Sequence, residues 1–232
     1  MAPGWSDRAP AEWGELLARS TAPRVGIHVT DLIGCPRRKR GGEEGWPADL
    51  SKLEARMFGT ILHGAMSTIR PLRAEVPVRF PLGGAEIVGS ADRLEESDNG
   101  FLTCDYKTSE ESSWGKLPEA PYDTQVFQQE SYRFGLDYMG QYTAGWRIYY
   151  RKGGKWACFE HIGALWTESA LLAFRPSGSA FSVADNLAML VSGAKAPALP
   201  LVGATQKIGK GTACEWCELR EPCDAAGYEV EL

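Results

Sequence analysis

The chain has 232 residues, a net charge of −5 and 44% hydrophobic residues. That composition supports a sizeable buried core; it excludes a disordered chain and a protein that holds nucleic acid by bulk positive charge alone. No apolar run approaches the roughly 18 residues that span a bilayer, and the N-terminus shows no apolar export stretch, so a cytoplasmic chain acting away from membranes is expected.

In chain order, residues 10–20 (PAEWGELLARS) read as a short amphipathic helix. Residues 29–40 read as a second, with Thr30 and Asp31 as candidate N-caps and Arg37-Arg38-Lys39-Arg40 at its end, followed by a turn over 41–47. Residues 51–69 read as a longer helix with Ser51 at its start and an apolar stripe through Leu53, Met57, Ile61, Leu62 and Ile69. The period then changes to two. Residues 73–80, 85–94 and 100–107 read as successive strands, with Gly83-Gly84 and Asp98-Asn99-Gly100 as turns. A helix is expected over 121–140, a hairpin over 143–151 and 155–162, and a further helix over 179–192. Residues 193–213 read as a loop leading to a cysteine-rich segment.

Charge and thiols are both unevenly placed. Residues 81–140 carry 4 basic against 12 acidic side chains. Such carboxylates either form a solvated face or converge on divalent cations, which take oxygen ligands. Of the six cysteines, Cys214, Cys217 and Cys223 form a C-x2-C-x5-C cluster. Three thiolates leave a tetrahedral sulfur site one ligand short. Cys35, between Gly34 and Pro36, has the loop-like setting of a fourth ligand, whereas Cys104 and Cys158 lie in apolar alternating runs that suit buried structural thiols. Zinc and an iron–sulfur cluster both accept four thiolates. A three-plus-one spacing leans towards the cluster, and either centre staples the first helices to the C-terminal segment.

Asp105 and Lys107 are two apart on one expected strand and so share a face, and Asp92 on the preceding strand can lie beside them if the two strands pair. Two close carboxylates call for a cation, and a lysine beside them can stabilise a developing oxyanion or orient a water. His63, on the helix before the strands, is a further ligand candidate; His28 and His161 read as structural. Gln128 and Tyr132, four apart, share a helix face. Glu75 either supports the site or faces solvent.

These residues, in this order, resemble the RecB-like branch of the PD-(D/E)xK nucleases: Gly59-x3-His63, Gly89-x2-Asp92, Asp105-x-Lys107 and Gln128-x3-Tyr132. Cys35 before Pro36-Arg37-Arg38, with C-x2-C-x5-C after the core, resembles the iron–sulfur members of that branch, including the CRISPR-adaptation exonuclease and the nuclease domain of AddB-type helicase–nucleases. The first aspartate lies in a Gly89-Ser90-Ala91-Asp92 context rather than a Pro-Asp pair. The resemblance implies an α/β restriction-endonuclease-like core, a central mixed sheet flanked by helices, with a helical N-terminal cap tied to the C-terminal cysteine segment. It implies one nuclease domain over 1–232, with a core at about 51–165 and an iron–sulfur module from Cys35 and about 205–225.

By the same resemblance, His63, Asp92, Asp105 and the Tyr106 carbonyl bind Mg2+ or Mn2+, and Lys107 positions or activates the attacking water. Gln128 and Tyr132 brace the site and contact DNA, and Cys35, Cys214, Cys217 and Cys223 hold a [4Fe–4S] cluster, with Zn2+ as the alternative. The expected activity is metal-dependent hydrolysis of DNA, as an exonuclease on single strands or ends, in CRISPR adaptation or in recombination and repair. An integrase or a recombination or helicase protein is the expected separate partner chain. The alternative is a non-catalytic DNA-binding or assembly module of the same fold, against which the intact set of His63, Asp92, Asp105 and Lys107 argues. The Arg37–Arg40 run either contacts phosphates or ends a helix with cations at its negative pole.

Overall fold

The computed structural model describes residues 25–49, 61, 73–109, 117–152, 154–199, 207–208, 211–212, 214 and 217–226. The expected helix at 10–20, that at 51–69 apart from Ile61, and His63 with it, lie outside the described residues. The elements in order are β1 (Ile27–His28), α1 (Val29–Leu32), α2 (Pro36–Glu43), β2 (Ala74–Leu82), β3 (Ala85–Ser97), β4 (Gly100–Ser109), α3 (Asp123–Tyr138), β5 (Thr143–Lys152), β6 (Lys155–Ile162), α4 (Glu168–Ala173), α5 (Val183–Val191), β7 (Lys207–Ile208), β8 (Gly211–Thr212) and α6 (Arg220–Ala225).

Strands β2 to β6 lie side by side in a mixed sheet. β2/β3, β3/β4 and β5/β6 are antiparallel hairpins, whereas β4 and β5 run parallel. A parallel pair needs a crossover connection, and α3 supplies it. The helix lies across one face of the sheet, where Phe127, Tyr132 and Leu136 join Val78, Phe80, Leu82, Ile87 and Leu94 in the main core. Leu171 of α4 and Val183 and Leu187 of α5 close that core from the helical side. The fold is therefore the expected α/β arrangement of a mixed sheet flanked by helices.

Several boundaries differ from the sequence reading, each for a local reason. The helix expected over 29–40 is two helices. Cys35 sits extended between them (φ −81°, ψ 118°), because the residue before a proline is disfavoured in the helical region while Pro36 is well suited to a first helical position. Asp31 is not an N-cap: its carboxylate reaches back to accept the His28 backbone N–H at 2.8 Å. α2 continues through Gly41 and Gly42 to Glu43 rather than turning at 41, with Lys39 and Arg40 both paired to Glu43. α4 was not legible as an element. Thr167 caps it by accepting Ala170 N–H at 3.2 Å. α5 begins at Val183, where Ser182 and Asp185 make a reciprocal capping box. Within the expected 193–213 loop, β7 and β8 form a small hairpin. No helix among the described residues is long and apolar enough to cross a membrane.

Candidate active site

The site lies where β3 and β4 part. Their ladder runs from Ser97↔Gly100 to Arg93↔Cys104 and stops. Beyond that rung β4 stays with β5, pairing Asp105↔Ile148 and Lys107↔Tyr150, while β1 takes the freed edge of β3 at Ile87 and Val88. Asp92 and Asp105 are the first residues past the last rung. Tyr106 N–H donates to Asp92 Oδ2 at 3.2 Å, bridging the fork through a side chain instead of the backbone.

A slip in the pleat accompanies this fork. Ala91 and Leu94 are both buried in the same core cluster, although residues three apart on a regular strand face opposite ways. Across from the slip, on β2, the pairing passes from Val76↔Ala91 to Ala74↔Arg93, and Glu75 between them adopts φ +48°. Such irregularities re-aim side chains at sheet sites. Glu75 itself is exposed and accepts a hydrogen bond from Ser90 Oγ at 3.0 Å.

On the α3 side of the fork, Lys107 Nζ donates to Asp105 Oδ1 at 2.9 Å and to Gln128 Oε1 at 3.3 Å. Gln128 Nε2 donates in turn to Tyr132 OH at 2.9 Å. The Tyr132 ring lies over Gly89, where any Cβ would come within 2.9 Å of its Cε1. Asp105 is buried, and its Oδ2 has no hydrogen-bond partner among the described residues. Burial, and then the neighbouring charge of Asp105, push the Asp92 carboxyl well above its ordinary range, against the pull of Lys107 and of the Tyr106 N–H. Burial alone would lower Lys107, but the charges of Asp105 and Asp92 outweigh it and keep the ammonium protonated. The donor set thus suits a hard divalent cation: two adjacent carboxylates disfavoured as a doubly charged pair, one with a buried oxygen lacking a donor.

Sequence reasoning missed the support on the reverse face of the sheet. There Glu95 accepts hydrogen bonds from Tyr106 OH at 3.0 Å, Arg147 Nη1 at 2.7 Å and Tyr149 OH at 3.0 Å. The Tyr106 and Tyr149 rings stack with centroids 5.0 Å apart. This network fastens β4 to β5 directly behind Asp105 and Lys107. A second missed feature is the ion pair of Glu130 and Arg133, each 1% exposed, with Trp146 Nε1 donating to Glu130 at 2.8 Å and Arg133 reaching the Gly163 carbonyl at 2.8 Å. Neither network has a motif spacing; each comes from three or more elements meeting.

The Cys214 thiol feels the charges of Cys35, Cys217 and Cys223. Burial and the other three thiols push Cys214 up to about 11, and burial also raises Cys217 and Cys223. Among the described residues, no three or more His, Cys, Asp or Glu side chains are gathered closely enough to hold an ion. The same region ties α2 to the C-terminal segment through the Arg38–Glu218 ion pair at 2.9 Å and an Asp49 N–H to Glu218 carbonyl bond at 2.7 Å. The cations of the Arg37–Arg40 run are engaged within the protein, while the Arg38 side chain stays 39% exposed. Arg37 is buried, Arg38 pairs with Glu218, Lys39 with Asp31 and Glu43, and Arg40 with Glu43 and the Leu190 carbonyl.

No curated protein sequence matches this chain. Among solved structures it is similar to one described as the crystal structure of SSO0001, with a TM-score of 0.60 at 19% identity over 94% of this chain and 98% of that one. At that identity the likeness speaks for the fold. The sequence profile of the PD-(D/E)XK nuclease superfamily matches residues 12–224. With that match over most of its length, this chain belongs to the PD-(D/E)XK nuclease superfamily.

Proposed function

We propose that this protein is a RecB-like member of the superfamily that hydrolyses DNA phosphodiesters with Mg2+ or Mn2+, acting as an exonuclease on single strands or free ends. The observation that carries the reading is the buried, donor-free Oδ2 of Asp105 beside Asp92 at the strand fork, with Lys107 Nζ 2.9 Å from the other Asp105 oxygen. Asp92, Asp105, the Tyr106 carbonyl and His63 hold the cation. When bound, it polarises the scissile phosphate and lowers the pKa of a water. Lys107 directs N–H donors to the phosphate or the attacking water, and Gln128 and Tyr132 fix the Lys107 side chain and meet the DNA.

Cys35, Cys214, Cys217 and Cys223 hold a [4Fe–4S] cluster that fastens the N-terminal helices to the 205–225 segment. The C-x2-C-x5-C spacing with Cys35 upstream supports this, as does the Arg38–Glu218 bridge that ties α2 to the C-terminal segment. A separate integrase or recombination protein, in CRISPR adaptation or in repair, is the partner such an end-processing enzyme serves. The test is purification without oxygen followed by assay on end-labelled DNA. A brown protein with about four iron atoms, whose Mn2+-dependent cleavage stops with chelator, is the expected result. A colourless protein with stoichiometric zinc replaces the cluster by a zinc site. Absence of cleavage under either metal leaves a binding module of the same fold.

A further inference from the structure

The tip of the β5–β6 hairpin stands apart from the machinery above. Between Arg151 and Phe159 it carries Arg151, Lys152 and Lys155 and no acidic residue, in a chain whose net charge is −5. None of the three cations makes an ion pair among the described residues. Arg151 and Trp156 are cross-strand partners, as are Lys152 and Lys155. Partners directly opposite in an antiparallel pair share a face. Tyr150, Ala157 and Phe159 pack on the α3 side, so strand alternation puts Lys152 and Lys155 on that side and Arg151 and Trp156 on the reverse. Trp156 is 53% exposed, with the Arg151 guanidinium 5.8 Å from its ring centroid.

Register ties this tip to the site. β4 and β5 are parallel with Lys107↔Tyr150 and Ser109↔Lys152, so the tip lies at the same end of the sheet as the carboxylates. Lys152 is two residues, about 7 Å of strand, beyond the Lys107 rung, and β6 is about 10 Å from β4. A lysine on an edge strand is also a common guard against edge-to-edge pairing. That role explains Lys155 but not an arginine set beside a large exposed indole.

We propose that this hairpin tip grips the unpaired strand of a DNA substrate next to the cleavage site. Lys152 and Lys155 take phosphates on the active-site face, and the strand rounds the tip so that a base stacks on Trp156, flanked by Arg151. Aromatic–base stacking selects unpaired strands, because duplex bases have no free face, and cations in a groove supply sequence-independent attraction to the backbone. The proposal rests on the DNA-nuclease reading for its substrate, but it is tested by binding without the metal.

Anisotropy is measured in chelator with a fluorescein-labelled oligothymidylate of about twenty nucleotides, an abasic strand of the same length and a blunt duplex. Trp156→Ala is expected to weaken oligothymidylate binding about tenfold and to leave the abasic strand and duplex unchanged, with Trp156→Phe restoring most of the loss. The triple variant Arg151→Ala/Lys152→Ala/Lys155→Ala is expected to weaken both single strands and to lower the log–log salt slope by about 0.7 for each phosphate no longer neutralised. Wild-type affinity in both variants, equal loss on duplex and single strand for Trp156→Ala, or no oligothymidylate binding by the wild type would each overturn the proposal. Mn2+-dependent hydrolysis of a thymidine dinucleotide is measured alongside as the readout of the chemistry. Its absence in wild-type protein that still binds through Trp156 would defeat the nuclease reading and leave the tip standing.

Discussion

The Tyr132 ring occupies the space above Gly89, with Cε1 2.9 Å from where a Cβ would stand and Val78 and Val29 at 3.2 and 3.3 Å on either side. Two motif residues far apart in sequence are thus one packing unit. Tyr132 in turn holds Gln128, and Gln128 holds Lys107. Gly89→Ala is expected to destabilise the fold by about 1–3 kcal/mol through overpacking. It should also lower DNA cleavage by displacing that chain. Denaturant midpoints and initial rates check both; wild-type values in the two assays would show that the ring has room to move.

Lys107 is only 24% exposed at the side chain and bonds both Asp105 and Gln128. Lys107→Ala is expected to reduce Mn2+-dependent cleavage by about 10²–10³-fold, the scale of losing one preorganised donor. Circular dichroism should show an intact fold. Retained activity would remove Lys107 from the chemistry.

The Asp92 carboxyl is raised by burial and by Asp105. The metal-free folded state therefore binds that proton more tightly than the unfolded chain. Stability from this group is full at low pH and is lost as pH rises past the ordinary carboxylate value towards the raised one. In chelator, Asp92→Asn is expected to melt about 2–4 °C above wild type at neutral pH, for a gain near 1 kcal/mol. The advantage should shrink on acidification. Mn2+ should raise the melting temperature of wild type and not of Asp92→Asn, as differential scanning fluorimetry can read.

Glu95 has the opposite sign. Burial would raise its carboxyl, but hydrogen bonds from Tyr106, Tyr149 and Arg147 outweigh it and hold the group below the ordinary 4.5. Its contribution is present above the unfolded value and is lost as pH falls through the lowered folded one. Wild type should therefore be more stable than Glu95→Gln at pH 7, with the two curves converging below about pH 4. Parallel curves across that range would show that Glu95 is not ionised in the fold.

Arg133 and Glu130 are fully buried together. Arg133→Met removes one partner and leaves Glu130 with only the Trp146 indole as side-chain donor among the described residues. A loss of about 3–5 kcal/mol is expected in urea unfolding, because the uncompensated charge stays buried. The double variant Glu130→Gln/Arg133→Met should recover part of it.

Strands β2 to β6, α3 and α5 were legible because their signals are local. Alternation through 85–94 and 100–107 and the helical period through 121–140 sit where β3, β4 and α3 lie. The spacing of Asp105 and Lys107 put both on one face for the same reason, and the Lys107–Asp105 bond at 2.9 Å follows from it. α4 was illegible because six residues carry too few turns for a period to show.

By itself, then, the sequence determined which residues alternate, which share a helix face and which superfamily profile the chain fits. Only the tertiary structure decided that β3 and β4 part at Asp92, that the pleat slips opposite Glu75 and that Arg38 pairs with Glu218. It alone placed Glu95 behind the site and the hairpin cations at the same end of the sheet. The reason is physical. Periodicity records how a residue faces its own strand or helix, whereas a fork, a buried ion pair or a shared sheet end depends on which distant backbone takes the neighbouring hydrogen bonds, and no local spacing encodes that choice.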